Sequence, residues 1–379
     1  MNPTRTLTAV LVLLFLPVNL GGCGPGRTIK IGTIQPISGS IAAYGTQTRD
    51  AIKMAVAELN ARGGVLGKPL ELIVEDDEAN PEKTMNAFVK LTAKDRVVGI
   101  IGALTSKCSL AIAADAQAKK VILISPSSTN DTLTDAGDYI FRACYQDSFQ
   151  GRVCARFAVK TLKARRAAIL YDLTNDYSKG LTHNFQVRFT ALGGRIVATE
   201  SYSAGDKDFN AQLTKIKAAR PDVLLIPDYY STVSLIAKQF RSQGMTIPML
   251  GGDGWDEIIN HAGTEVVGCY YSNHYSPEAD NQAVREFVGK FQAHYRTTPN
   301  ALAALGYDAA YLLAEAIGRA GSVVPERIKA ALYQTDRKFV TGRIKFGKDG
   351  NPLKTAIMLK IIKDSSGKPV TAYAGTVEP

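Results

Sequence analysis

The sequence predicts an α/β protein made of two doubly wound, Rossmann-like lobes. Three observations carry that prediction. The chain of 379 residues is longer than one hydrophobic core organises, and strand-like apolar runs alternate with helical patterns through most of it. That alternation also falls into two successive β-α-β series, the second beginning near Gln150. With 45% apolar and 21% charged residues, the composition is that of a soluble globular protein rather than a disordered or fibrous one.

The first 22 residues stand apart. Met1–Thr8 contain one positive charge, Arg5, and Ala9–Val18 form a ten-residue apolar run interrupted by Pro17. A helix that crosses a bilayer needs about 20 such residues, so this segment reads as a secretion signal. It closes on Leu20-Gly21-Gly22-Cys23, which resembles the bacterial lipobox, in which the cysteine sulfur receives a diacylglycerol before cleavage. Residues 1–22 are therefore expected to be removed and Cys23 to be the lipidated first residue of a mature chain. Taking 22 residues from 379 leaves 357, facing an extracytoplasmic space and tethered to a membrane by residues 23–27. No second apolar stretch approaches membrane-spanning length.

In the first series, Ile29, Ile31 and Ile34 open a strand, and Ala51, Ile52, Ala55, Val56 and Leu59 recur with helical period up to Gly63-Gly64. Leu70, Leu72 and Val74 alternate as a strand. Asn80-Pro81 reads as a helix cap followed by proline at the first helical position, with Met85, Phe88 and Val89 on the buried face. Residues 97–101 and 121–124 are compact apolar strands suited to the middle of a parallel sheet. In the second series, strands are expected at 167–171, 222–226, 248–250 and 267–272, with helices at 178–192 and 231–243. The remaining segments are helices near 282–295, 301–320 and 325–333 and strands at 343–346 and 356–363. Their periodicity does not assign them to either lobe.

Charge and motif content exclude several functions. The net charge of +10 comes from Lys and Arg scattered among Asp and Glu, not from a basic stripe with interleaved aromatics, so no nucleic-acid surface is expected. Cys108, Cys144, Cys154 and Cys269 include no C-x-x-C pair, and His183, His261, His274 and His294 lack zinc-ligand spacing, so no metal site is expected. Cys144 and Cys154 are the nearest candidates for a disulfide; buried free thiols are the alternative. The turn Gln35-Pro36-Ile37-Ser38-Gly39-Ser40 lacks a dinucleotide fingerprint, and Gly252-Asp253-Gly254-Trp255 fails at the third glycine. Ser178 follows Asp176-Tyr177 where a nucleophile elbow needs glycine. Asp76-Asp77-Glu78 reads as a solvated strand end. A two-lobed α/β chain with no nucleophile-and-base set and no cofactor motif reads as a ligand clamp, not an enzyme.

The order and spacing of several stretches then resemble the leucine/isoleucine/valine-binding family of ABC-transporter substrate-binding proteins, the type I periplasmic binding fold. They are Ile31-Gly32 through Pro36-Ile37-Ser38-Gly39, Asn60 through Gly67, Asp76-Asp77 and Pro81, Ile124-Ser125-Pro126, Arg142, Gln150-Gly151 and Gly306-Tyr307-Asp308-Ala309. The resemblance implies two discontinuous lobes joined by three crossovers, 28–147 with 276–355 and 148–275 with 356–379. It implies that Ser106, at a helix N-terminus, and Ser127, Ser128 and Thr129, in Ser125-Pro126-Ser127-Ser128-Thr129, grip an amino acid's carboxylate. Tyr177 and Tyr229 would close over the ligand, Asp253 would hold its ammonium, and Tyr44 would line the side-chain end, with Asp147 near the hinge. The family's cysteine pair is not reproduced. The implied partners are permease subunits and a small amino acid, aliphatic, branched-chain or aromatic, bound by a monomer. An amide, urea or aromatic acid on the same scaffold, or a ligand-sensing receptor lobe, are the competing readings.

Overall fold

The computed structural model describes residues 28–378. The segment read as a secretion signal, Cys23 and the residues read as a tether, through residue 27, lie outside the described residues.

The first series folds as β1 (Ile29–Gln35), α1 (Ala42–Ala61), β2 (Leu70–Asp76), α2 (Pro81–Val89), β3 (Gly99–Ile101), α3 (Ser106–Ala118), β4 (Ile122–Ser125) and β5 (Ile140–Arg142). Its strands pair in parallel in the order β2-β1-β3-β4-β5. β3, β4 and β5 are buried at every residue, which is why three or four apolar residues suffice for each. The cap at α2 forms as its sequence dictates: Asn80 Oδ1 accepts from the N–H groups of Glu82 and Lys83 at 2.9 and 3.1 Å. α1 ends where Gly63 turns to φ 96°, a conformation that glycine, having no Cβ to clash, adopts without strain.

The second series is α4 (Asp147–Lys160), β6 (Arg166–Asp172), α5 (Asp176–Ala191), β7 (Arg195–Tyr202), α6 (Asn210–Ala218), β8 (Val223–Leu225), α7 (Tyr230–Ser242), β9 (Met249–Gly251), α8 (Ile258–His261) and β10 (Tyr270–Asn273). The chain then returns to the first lobe with α9 (Gln282–Tyr295), α10 (Ala301–Ala320) and α11 (Pro325–Tyr333); α10 packs along α1 and against β3 and β4. β11 (Asp336–Phe339) and β12 (Gly342–Lys345) follow, and the chain crosses once more to β13 (Ala356–Lys363) and β14 (Pro369–Val377). The second sheet runs β14-β13-β10-β9-β8-β6-β7, parallel except for the antiparallel pairs β10–β13 and β13–β14. Two α/β lobes linked by three chain crossings result.

Several expectations need correction. Val89, read on the buried face of α2, is exposed, and Asp77, read at a solvated strand end, is buried and accepts from the Thr84 hydroxyl at 2.9 Å. The strand read at 343–346 is one half of a separate hairpin, β11–β12, paired with neither main sheet. The strand read at 267–272 begins only at Tyr270, because Thr264–Val266 form a 3-10 turn. The helix read from Ser178 begins at Asp176: Asn175 Oδ1 caps it by accepting from Tyr177 N–H, while the Ser178 hydroxyl accepts from Asp172 N–H at 3.0 Å. Lastly, α10 has the length and composition to cross a membrane, with mean hydropathy 1.2, yet 83% of its apolar window is buried inside the protein. It is a core helix whose all-round apolarity comes from burial. The cysteines Cys108, Cys144, Cys154 and Cys269 are free and buried.

Asp308 shows how α10 holds the turn of the β11–β12 hairpin. Its buried carboxylate accepts from the N–H groups of Val340 and Thr341 at 3.0 and 2.8 Å and from the Thr341 hydroxyl at 2.6 Å. Asp308→Ala leaves these donors without an acceptor in a site closed to water, so unfolding stability is expected to fall by about 2–4 kcal/mol. A urea titration checks this, and a loss below about 0.5 kcal/mol, the usual scatter of surface changes, contradicts it.

Candidate functional site in the interlobe cleft

The loops that leave the carboxyl ends of β1, β3 and β4 face those that leave β6, β8 and β9, the edge at which open α/β sheets bind ligands. Between them lies a small, partly open cavity with about 300 Å³ of empty space, the solvent at its mouth included. From the first lobe come Tyr44, Leu104, Thr105, Ser106, Ser127 and Leu302; from the second come Tyr177, Tyr229, Asp253 and Gly254.

Aromatic rings form most of the wall. Tyr177 and Tyr229 stack with centroids 5.4 Å apart and planes 10° from parallel. Tyr44 meets Tyr229 edge-on at 6.3 Å. The Tyr44 hydroxyl spans the cleft, sharing its proton between the carbonyls of Gly254 at 2.6 Å and Asp256 at 3.0 Å. Burial and neighbouring carboxylates raise the pKa of all three phenols well above the ordinary value, so they remain neutral. Glycine is required beside them: a Cβ on Gly252 would lie 2.4 Å from the Tyr177 hydroxyl, and one on Gly254 would lie 2.7 Å from the Asp228 carbonyl.

The polar groups divide between the two walls. Ser106 is the first residue of α3, whose opening N–H groups receive no side-chain cap; its hydroxyl accepts from Asn130 N–H at 3.3 Å. Ser127 donates to the Leu104 carbonyl at 2.9 Å. Across the cleft, Asp253 is 4% exposed, accepting from Gln150 Nε2 at 2.9 Å on Oδ1 and meeting His274 Nε2 at 3.0 Å on Oδ2. Burial holds the His274 imidazole below its ordinary pKa, which keeps it neutral and makes Nε2–H the donor to Asp253.

Of the residues singled out in the sequence, Ser106, Ser127, Tyr44, Tyr177, Tyr229 and Asp253 meet at this cavity, whereas Ser128, Thr129 and Asp147 are not on its wall. The Ser128 hydroxyl lies 2.7 Å from that of Ser109, and the Ser128 carbonyl accepts from Arg142 Nη1 at 2.9 Å. Thr129 accepts from Asp147 N–H at 2.8 Å through its carbonyl, and its hydroxyl has no partner. Asp147 is fully buried with both carboxylate oxygens unpartnered, and burial raises its carboxyl well above the usual range. Sequence reasoning missed Leu104 and Leu302 on the wall, and Gln150 and His274 behind Asp253. Gln150 had appeared only within a family match; nothing in local pattern points to the other three.

A second acidic group joins the lobes beside the cavity. Asp256 accepts from Ala301 N–H at 2.6 Å and Asn273 Nδ2 at 3.1 Å. Glu257, held at φ 70°, accepts from Gln47 Nε2 at 2.8 Å, Asn300 Nδ2 at 2.9 Å and Asn260 Nδ2 at 2.7 Å. Every one of these partners is neutral. Burial, with the Glu257 charge adding to it, pushes the Asp256 carboxyl up to about 7.

Residues 28–367 match the family model described as periplasmic binding protein. Leu/Ile/Val-binding protein homolog 2 of Brucella abortus is 31% identical over 347 residues, covering 90% of this chain and 92% of its own. The branched-chain amino acid transporter substrate-binding protein LivJ of Streptococcus pneumoniae, solved with isoleucine, aligns with a TM-score of 0.85 and 34% identity over 93% of this chain and 100% of its own. A solute-binding protein of an ABC transporter from Rhodopseudomonas palustris, solved with 3,4-dihydroxybenzoic acid, aligns with a TM-score of 0.84 and 25% identity over 93% of this chain and 97% of its own.

The Asp256 seam predicts that opening of the lobes depends on pH. The Asp256 carboxyl pKa is raised where the lobes meet above the ordinary 3.8, so a motion that exposes it to water is expected to release a proton and the reverse motion to take one up. The contribution to closure is full below about pH 4 and is lost as pH rises through about 7. Small-angle scattering of the ligand-free protein is expected to give a larger radius of gyration at pH 8 than at pH 5, and Asp256→Asn to remove the difference. A wild-type radius equal at both pH values would contradict this.

Proposed function

The chain belongs to the periplasmic binding protein family, and on that premise we propose that it is the lipid-anchored solute receptor of an ABC importer. Its ligand is a small α-amino acid, aliphatic, branched-chain or aromatic, clamped between lobe 28–147 with 276–355 and lobe 148–275 with 356–379. The observation that carries this reading is the meeting of an uncapped helix start, a buried carboxylate and three tyrosines around one small cavity. The first-turn N–H groups of α3 with Ser106 and Ser127 suit a carboxylate. Thr129 would support that end from behind, and Ser128 and Asp147 would hold its frame.

Asp253 suits an ammonium. Its two oxygens offer about four lone-pair sites, of which Gln150 and His274 take two, so acceptors remain for two N–H donors. Tyr177 and Tyr229 would cover the side chain and Tyr44 would close the far end. Domain closure follows from the division of these groups between two walls, because only a closed cleft brings both to one ligand. Isoleucine in the Streptococcus pneumoniae relative supports the amino-acid class.

A second reading is favoured by one observation. Asp253 already has two internal hydrogen bonds, and a phenolic O–H would donate to one of its remaining lone-pair sites. An aromatic acid with a ring hydroxyl, like the ligand of the Rhodopseudomonas palustris relative, would stack on Tyr177 and Tyr229.

Membrane attachment through Cys23 and docking on permease subunits complete the proposal. Cys23→Ser is expected to move the protein from the membrane fraction to the soluble fraction, with retention after a high-salt wash contradicting the anchor. For the cleft, Asp253→Ala is expected to weaken amino-acid binding by about 2–5 kcal/mol. From a micromolar starting point this leaves millimolar affinity or none. Calorimetry with L-isoleucine and with 3,4-dihydroxybenzoate on both proteins tests this. Tight binding of isoleucine by Asp253→Ala would defeat the ammonium grip, and tight binding of the aromatic acid alone would select the second reading.

A further inference from the structure

Parallel pairing puts the amino ends of β2, β1, β3 and β4 along one edge of the first sheet, opposite the edge that faces the cleft. Ile29 N–H donates to the Pro69 carbonyl at 2.9 Å and Val98 N–H to the Lys30 carbonyl at 2.8 Å, which ties together the segments entering three of these strands. Because the carboxyl edges of the two sheets face each other across the cleft, their amino edges are the two outer poles of the molecule. We propose that the pole of the first lobe lies on a surface of anionic lipid headgroups, with the cleft turned away from it, an orientation that depends on Cys23 being the lipid anchor of the proposed function.

The charge comes from the segments that enter the strands. Lys68 precedes β2, Lys94 and Arg96 precede β3, and Lys119 and Lys120 precede β4, all of them exposed. Lys120 is paired with Glu326 at 3.2 Å, and Asp138, an acid of the same pole, is paired with Lys329. Lys68, Lys94, Arg96 and Lys119 form no ion pair among the described residues. The acids left beside them are Glu71, which accepts from the Thr28 hydroxyl at 2.7 Å, and the partly buried Asp95, so basic charge is in surplus. Helix C-termini favour bases on their own account, yet Lys68 belongs to no helix and lies just ahead of Pro69 and β2.

The independent observation is where the anchored chain enters. β1 begins with Ile29 at this pole, and Thr28 stands five positions after Cys23. Five residues reach at most about 18 Å, so a lipid on Cys23 holds the entry to β1 within that distance of the bilayer. Anionic headgroups attract Lys and Arg over about a Debye length, roughly 8 Å at physiological salt. Basic side chains grouped around the point of entry therefore add to the hold of the anchor and select the face that meets the surface. The pole of the second lobe is also basic, with exposed Lys163, Arg165, Arg195 and Arg220, but the anchored end of the chain does not enter there.

Reconstituting the lipidated mature chain in vesicles of phosphatidylcholine, with or without added phosphatidylglycerol, and briefly acetylating its lysines tests this, with mass spectrometry reading the rate at each lysine. Lys68, Lys94 and Lys119 are expected to react about threefold or more slowly on the anionic vesicles than on the neutral ones, and to recover at about 1 M salt, where the Debye length falls to about 3 Å. Lys160 and Lys163, which precede β6 at the other pole, are expected to react equally on both. Lys94→Glu combined with Arg96→Glu is expected to return Lys68 and Lys119 to their neutral-vesicle rates.

Equal rates for the first-lobe lysines on both kinds of vesicle would overturn the surface; these vesicles hold no other protein, so that result would leave the basic pole to a protein partner. Slowing of Lys160 and Lys163 instead, or slowing that survives the double substitution, would overturn it as well. A chain that is not retained even by neutral vesicles lacks the anchor, and that outcome overturns the anchor together with the orientation. It is distinct from a retained chain whose lysines are unprotected, which overturns the orientation alone.

Discussion

A carboxylate shut away from water must be hydrogen-bonded or it takes up a proton, and Asp253 is the place where this chain meets that demand. Gln150 reaches it from α4, just after the first crossing, and His274 reaches it from the second crossing, at the end of β10. The same Gln150 amide also approaches the hydroxyls of Tyr145 at 3.1 Å and Ser272 at 3.0 Å. His274 stacks on Tyr145 with ring centroids 3.9 Å apart. The wall of the cleft and the frame of the hinge are therefore parts of one polar network. Moving the lobes disturbs the surroundings of the group assigned to the ligand's ammonium.

The other buried acids near the seam are treated differently. Asp147 has no hydrogen-bond partner for either oxygen, and Asp256 and Glu257 have neutral partners alone. Burial raises the carboxyls of Asp147 and Asp256, which gives this arrangement of the lobes a preference for bound protons. The Tyr44 hydroxyl and the Asp256 carboxylate cross that seam in opposite directions, one donating into the second lobe and the other accepting from the first. This pairing fixes how far the lobes approach at the side where α1 and α10 begin.

Local physics explains the parts of the fold that were legible in advance. Asn80-Pro81 starts a helix because the side chain can satisfy orphan N–H groups two and three residues on. The limits of α9, α10, α11 and β13 agree with the periodicity of their residues, since each presents a continuous apolar face at 3.6- or 2-residue spacing. The hairpin β11–β12 has no such signal: Asp336, Arg337 and Lys338 are exposed, and their strand is made by pairing rather than by burial. β14 is likewise half in water, and its strand form depends on β13 lying beside it.

The sequence by itself determined the two-series α/β architecture, the helix caps and the glycine-flanked Asp253, because each is decided by neighbours within a few positions along the chain. It also marked six residues that converge on the cleft. Which lobe takes α9–α11, which side chains hold Asp253, and that Leu302 faces Tyr177 and Tyr229 across one cavity were decided only by the tertiary structure. Gln150 and Asp253 are 103 positions apart and Tyr44 and Gly254 are 210 apart. Contacts of that separation depend on the placement of whole sheets, and no local periodicity records the direction in which a distant side chain will point.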